Sequence, residues 1–105
     1  MTKRVVALFT LKSDISVDDY ARWSAERVRP VMRAMPSVLR FDDFRVVGNM
    51  DGEALDAQLS ELIEVTDFAE FEADNARGEG GVLAKEWRQR LVSWSVLYME
   101  DLLED

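Results

Sequence analysis

Glu61 and Glu64 stand in one strand-like run, Leu59 to Val65, whose other residues are mostly apolar. They have opposite parity, so at least one carboxyl group points toward a covered face of any sheet that contains this strand. A carboxyl group buried there has its pKa raised by desolvation, which brings it into the range of a general acid or base near neutral pH. Of the two, Glu64 is the expected acid-base group. The competing reading is a structural ion pair with an arginine such as Arg27, Arg45 or Arg88.

A carboxylate is needed for this role because the chain has no histidine and no cysteine. Histidine is the usual base near neutral pH and the usual zinc and proximal haem ligand, and thiolate chemistry requires cysteine. The work falls to Asp, Glu, Tyr, Lys, Arg or Ser. The adjacent acids Asp18-Asp19 and Asp42-Asp43 put neighbours on different sides of a helix or strand, so no metal site is expected.

Two groups of aromatic residues accompany the carboxylates. Tyr20, Trp23 and Arg27 lie three and four apart along one flank of a predicted helix, an aromatic and cationic wall for a ligand. Tyr20 is the candidate catalytic partner of the carboxylate. Trp23 and Arg27 are candidate binding residues, against the plainer reading that Tyr20 and Trp23 only seal the helix onto a sheet. Trp94 and Tyr98 share one face of the last predicted strand, with Ser93 and Ser95 on the other. A flat heteroaromatic ligand stacks on such a surface and takes a hydrogen bond from a tyrosine, although the same residues suit a dimer core.

These groups must be positioned by strands and helices that the patterning reveals. Val5 to Lys12 is apolar on both alternating faces, as in a strand covered on both sides. Ser16 caps a helix that starts near Val17, with Asp19 in its first turn. Val17, Tyr20, Ala21, Ser24, Val28, Val31, Met32 and Met35 form its apolar stripe. Pro30 removes a donor within it and predicts a kink or break near Arg29, and Pro36 ends the helix.

Val38 to Val47 reads as an edge strand, where Arg40, Asp42, Asp43 and Arg45 discourage aggregation. Gly48, Asn49, Asp51 and Gly52 provide turn chemistry. Leu59 to Val65 is the third strand. Asp67 and Glu70 form a capping box for a short helix that buries Phe68 and Phe71. Arg77-Gly78-Glu79-Gly80-Gly81 reads as a flexible loop able to act as a lid, and it has neither P-loop nor dinucleotide spacing. A further helix carries Leu83, Trp87, Arg90 and Leu91, and Ser93 to Met99 is the fourth strand. The tail Glu100 to Asp105 is acidic and amphipathic.

The order predicts a single α+β domain over residues 1–105, ferredoxin-like βαββαβ with an extra helix. Its four-stranded antiparallel sheet carries helices on one face only. The bare apolar face predicts a homodimer, and at 105 residues the added burial is worth having. The pocket is expected on the opposite side, between sheet and helices. With 21 acidic and 13 basic residues the net charge is -8, which opposes phosphate backbones and anionic lipid surfaces. Met1-Thr2-Lys3-Arg4 leads into a segment too short to span a bilayer or serve as a signal core. The expectation is a soluble, cytoplasmic protein with no nucleic-acid or membrane partner.

The layout resembles the dimeric α+β barrel superfamily across the whole chain. Within it, Val5-Val6-Ala7-Leu8-Phe9-Thr10-Leu11-Lys12, Tyr20-Ala21-Arg22-Trp23, Val28-Arg29-Pro30-Val31 and Met35-Pro36-Ser37-Val38 resemble the HapK and RedY-like family of prodiginine pigment biosynthesis. That resemblance implies a small, cofactor-independent dimer that acts on or holds a pyrrole or bipyrrole intermediate on the branch to the bipyrrole aldehyde. Some relatives are associated with dehydration or related acid-base steps. A non-catalytic binding or carrier module is the alternative. An antibiotic-type monooxygenase working without metal or flavin is the third reading. Superfamily members that bind haem or use a histidine base are no model for a chain without histidine.

Overall fold

The computed structural model describes residues 2–103. The final two residues of the acidic tail lie outside the described residues. Strand β1 (Lys3–Leu11) leads into helix α1 (Val17–Trp23), a π-helical turn (Ser24–Val28) and helix α2 (Arg29–Ala34), followed by β2 (Val38–Arg45). The second half comprises β3 (Leu59–Val65), α3 (Phe68–Asp74), α4 (Gly78–Gln89) and β4 (Leu91–Glu100). The four strands form one antiparallel sheet in the order β2-β3-β1-β4. This is the predicted ferredoxin-like α+β arrangement, with α3 as the extra helix.

The helix starts follow from capping. Ser16 Oγ accepts the Asp19 N–H at 3.0 Å, and acidic Asp18 and Asp19 occupy the first turn. Asp67 Oδ1 accepts the Ala69 and Glu70 N–H groups at 2.8 and 3.1 Å. The Glu70 carboxylate accepts from the Thr66 hydroxyl at 2.7 Å, so the reciprocal half of the expected capping box is replaced by a side-chain bond.

Pro30 disturbs the first helix differently from the expected kink. The backbone stays helical throughout, but Arg29 N–H donates to the Ser24 carbonyl five residues back. The wide turn absorbs the missing Pro30 donor just ahead of the proline. It also corrects the register of the buried stripe. Tyr20, Ser24, Val28 and Met32 recur at every fourth residue and all are buried. In a straight α-helix each such step overshoots a full turn by about 40°. One extra residue in a π-turn resets that drift and keeps the stripe on the sheet.

Alternation along the strands divides the sheet faces cleanly. Val5, Ala7, Phe9 and Leu11 of β1 and Leu59, Ile63 and Val65 of β3 are buried under the helices. The other face is bare. Leu62 of β3 lies across from Val6, which lies across from Leu97 of β4, and Leu8 sits further along β1. Leu8, Leu62, Leu97, Met99 and Phe44 of this face are exposed.

The glycine run is a correction to the expected lid. Arg77 is the N-cap and Gly78 to Gly81 form the first turn of α4. Gly78 has φ 54°, which turns the chain sharply from α3 into α4. At Gly80, a Cβ would stand 2.0 Å from the Asp74 carbonyl oxygen. These glycines permit a tight helix junction, so this segment is packed rather than hinged. β4 likewise begins at Leu91, two residues earlier than its pattern suggests.

Candidate functional site

A cavity of about 270 Å³ lies between the covered sheet face and the helices, with Ala7, Glu61, Trp87, Trp94, Val96 and Tyr98 in its lining. One sheet row explains its position. Asp43 on β2, Glu61 on β3, Ala7 on β1 and Val96 on β4 stand side by side. Ala7 is the smallest side chain in that row and leaves space beside Glu61. At the β4 edge the helices no longer cover the sheet. Trp94 and Tyr98 are each 46% exposed there, and they form the mouth.

Glu61 is the desolvated carboxylate, with 6% of its surface exposed. Burial pushes its pKa up to about 8, and the neighbouring charge of Asp43 adds to the rise, against a smaller opposing pull of the nearby Tyr20 hydroxyl, which closes no direct hydrogen bond to it. Tyr20 is also in the core, and burial followed by the charge of Glu61 raises its hydroxyl pKa far above the usual value. Tyr20 Oη, Glu61 Oε2 and Trp87 Nε1 are buried and have no direct hydrogen-bond partner among the described residues. Leaving a buried polar group unpaired costs about 1–3 kcal/mol. Glu61 and Trp87 line the cavity, so their two unpaired atoms suit a polar group of a ligand, whereas Tyr20 is outside the lining.

Aromatic rings hold this centre in place. Phe9 meets Tyr20 edge-on at 5.4 Å and Trp87 at 5.1 Å, while Trp87 and Trp94 are 6.3 Å apart. Tyr98 stacks on Phe68 at 4.5 Å, and its hydroxyl donates to Glu72 Oε2 at 2.6 Å. Partial burial and the Glu72 carboxylate raise the Tyr98 pKa to about 12.

The structure assembles only part of the predicted site. Trp94 and Tyr98 line the cavity, and Tyr20 is buried near Glu61 but outside the lining. Glu64, the expected acid-base group, is not. It stands on the bare face between Arg4 and Arg40, its cross-strand neighbours. The desolvated position in this strand belongs to Glu61. A signal was present in the sequence, because Glu61 shares its parity with Leu59, Ile63 and Val65, whereas Glu64 shares its own with Ser60 and Leu62.

Arg27 is also corrected. Its guanidinium is engaged with Glu79 at 2.7 Å and Glu86 at 2.8 Å, both on α4, so it ties the first helix to α4 rather than facing a ligand. Trp23 is outside the cavity lining. It packs edge-on to Tyr20 at 5.5 Å and carries the Arg90 guanidinium 3.8 Å above its ring. Here the sealing role is the one the structure displays.

Trp87 and Asp43 are site residues the sequence reading missed. Trp87 was legible only as part of the α4 stripe. Asp43 looked like an edge-strand charge, but it faces the helices, accepts from the Ser24 hydroxyl and pairs with Arg29 at 2.7 Å. Among the described residues no group of three or more acidic side chains converges as a metal site. No helix among them is long and apolar enough to cross a membrane.

Comparison with known proteins adds a family. The family model described as REDY-like protein HapK matches residues 3–102. No curated protein matches by sequence. Among solved structures, HapK from Hahella chejuensis aligns with a TM-score of 0.77 at 23% identity, covering 98% of this chain and 95% of that one. A point mutant of SnoaB, a cofactor-independent oxygenase from Streptomyces nogalater, aligns at 0.71 and 14% identity, covering 98% and 95%. A dimeric ferredoxin-like protein of unknown function from Thermobifida fusca aligns at 0.70 and 12% identity, covering 94% and 90%. At these identities the likeness concerns the fold.

Proposed function

Since the chain belongs to the REDY-like HapK family, we propose that it is a cofactor-independent, cytoplasmic protein of prodigiosin-type pigment biosynthesis that performs acid-base chemistry on a pyrrole or bipyrrole intermediate. The observation that carries this reading is the buried Glu61 carboxyl group, with its unpaired oxygen beside an aromatic-lined cavity. A pKa of about 8 keeps Glu61 largely protonated at neutral pH. It then serves as a general acid.

In a dehydration, Glu61 gives its proton to a hydroxyl group on the carbon next to the pyrrole ring. The nitrogen lone pair expels that hydroxyl as water, and the new carboxylate takes the ring N–H proton, which restores Glu61. The Trp87 N–H is a donor for the ligand's oxygen, the Tyr20 hydroxyl acts through the neighbouring Glu61, and Trp94 with Tyr98 provides the flat wall at the mouth. The bare apolar sheet face supports a homodimer, in keeping with a solved neighbour that is itself dimeric.

The test is turnover of a bipyrrole alcohol or aldehyde by the purified protein. Glu61→Gln is expected to lower it by about a hundredfold or more, with Glu64→Gln close to the unmodified rate. Full turnover by Glu61→Gln overturns the assignment. Saturable binding without chemical change would instead support the carrier reading. The fold shared with a cofactor-independent oxygenase keeps a monooxygenase as a further reading, and oxygen uptake on hydroquinone substrates is its test.

A further inference from the structure

We infer that Asp43 is a positioning residue that reinforces the protonated form of the buried Glu61 carboxyl group, and that Arg29, by pairing with Asp43, sets how strongly it does so. The inference rests on the reading of Glu61 as the proton-transfer group and extends it to what controls that group.

The argument starts from register. Asp43 and Glu61 are direct cross-strand partners, and both point to the helix-covered face. Adjacent carboxylates in a poorly hydrated setting cannot both ionise cheaply, and the one with better partners keeps the charge. Asp43 has those partners. Arg29 Nε donates to its Oδ1 at 2.9 Å, and the Ser24 hydroxyl donates to its other oxygen. Glu61 Oε2 has none among the described residues, so Glu61 retains the proton.

Other charged and titratable groups near Glu61 do not perform this role. Tyr20 of α1 is neutral, and Ala7 of β1 with Val28 and Met32 carries no charge. Across the cavity, Glu72 of α3 accepts from Tyr98 of β4. Arg88 of α4 also lines the cavity and is exposed. Asp43 is the one other charged side chain in the sheet row of Glu61, whose remaining members are Ala7 and Val96. Its link to solvent runs through Arg29, whose side chain is 42% exposed against 10% for Asp43.

The two variants therefore have opposite signs. Removing the negative charge in Asp43→Asn lets Glu61 ionise more easily. Removing the counter-charge in Arg29→Gln strengthens the repulsion and makes Glu61 harder to ionise. Arg29→Lys keeps a positive charge and is the conservative control. A purely structural role for either residue changes stability but does not produce opposed titrations.

The experiment is a carbon-detected NMR titration of the Glu61 side-chain carboxyl group in the ligand-free full chain, with the resonance assigned through Glu61→Gln. Asp43→Asn should lower the midpoint by about one pH unit. Arg29→Gln should raise it, and Arg29→Lys should leave it close to the unmodified value. An unmoved midpoint in Asp43→Asn, or a shift of the same sign in Arg29→Gln, overturns the inference. If Asp43→Asn fails to fold, the Arg29 pair decides: a rise in Gln that Lys reverses supports the inference, and equal midpoints overturn it.

Turnover by Glu61→Gln separates this inference from the proposed chemistry. Opposed midpoints together with an active Glu61→Gln leave the control of Glu61 standing and remove its catalytic role. Unmoved midpoints together with an inactive Glu61→Gln do the reverse.

Discussion

Glu61 occupies a position that favours the protonated carboxyl group in the folded chain over the unfolded one, and this has a consequence for stability. Its folded pKa is raised from 4.5 to about 8. Between those values the folded chain holds a proton that the unfolded chain has released. The stabilisation is therefore complete below about pH 4.5 and is lost as pH rises through about 8. Thermal unfolding across that window should show a loss on the order of a few kcal/mol, and Glu61→Gln should flatten the slope. Tyr20→Phe tests the neighbouring hydroxyl. It removes an unpaired buried group without changing ring shape, so stability should rise by about 1 kcal/mol while turnover falls. A fall in stability would mean that the hydroxyl is well satisfied in solution.

The helices show how local chemistry and packing share control of an element. Ser16 and Asp67 cap their helices as their sequence positions imply, since capping needs only neighbours within a turn. Gly80 is a case where packing prevails. Alanine is the better helix former by roughly 1 kcal/mol, yet its Cβ would meet the Asp74 carbonyl at 2.0 Å. Gly80→Ala is therefore expected to destabilise the fold by about 1–3 kcal/mol, measured by urea unfolding. An unchanged midpoint would show that the α3–α4 junction yields easily. Arg27 belongs at this scale too. As a clamp between the first helix and α4, Arg27→Met should lower the melting temperature while leaving ligand affinity unchanged.

At the scale of the whole molecule, the sheet's bare face is the dominant feature. Val6, Leu62 and Leu97 form an unbroken apolar row across β3, β1 and β4, with Leu97 49% exposed. A large apolar surface of this kind on a small protein marks an interaction site, and self-association through it is expected to give a dimer in solution. Leu97→Arg should convert that dimer to a monomer by sedimentation velocity, whereas Val47→Arg, in the loop after β2, should not. A monomeric unmodified chain would leave the face to another partner. The cavity mouth at the β4 edge faces away from this row, on the opposite side of the sheet.

Alternation and helical spacing were enough to predict four strands and their order in the chain, because these are properties of the backbone over a few residues, but not the bulge after Val38 that puts Val38 and Phe41 on the same face. The absence of histidine and cysteine likewise pointed to a carboxylate before any fold was considered. Parity grouped Glu61 with the apolar Leu59, Ile63 and Val65, but left open which face of the strand lies under the helices. That depends on the side to which the connections cross, which only the assembled sheet decides. The same holds for Asp43 beside Glu61, for Arg27 drawn onto α4, and for a cavity that exists because Ala7 is small and the helices stop short of β4. Each is a meeting of residues distant in sequence, and no local pattern records which distant groups will compete for the same charge or the same space.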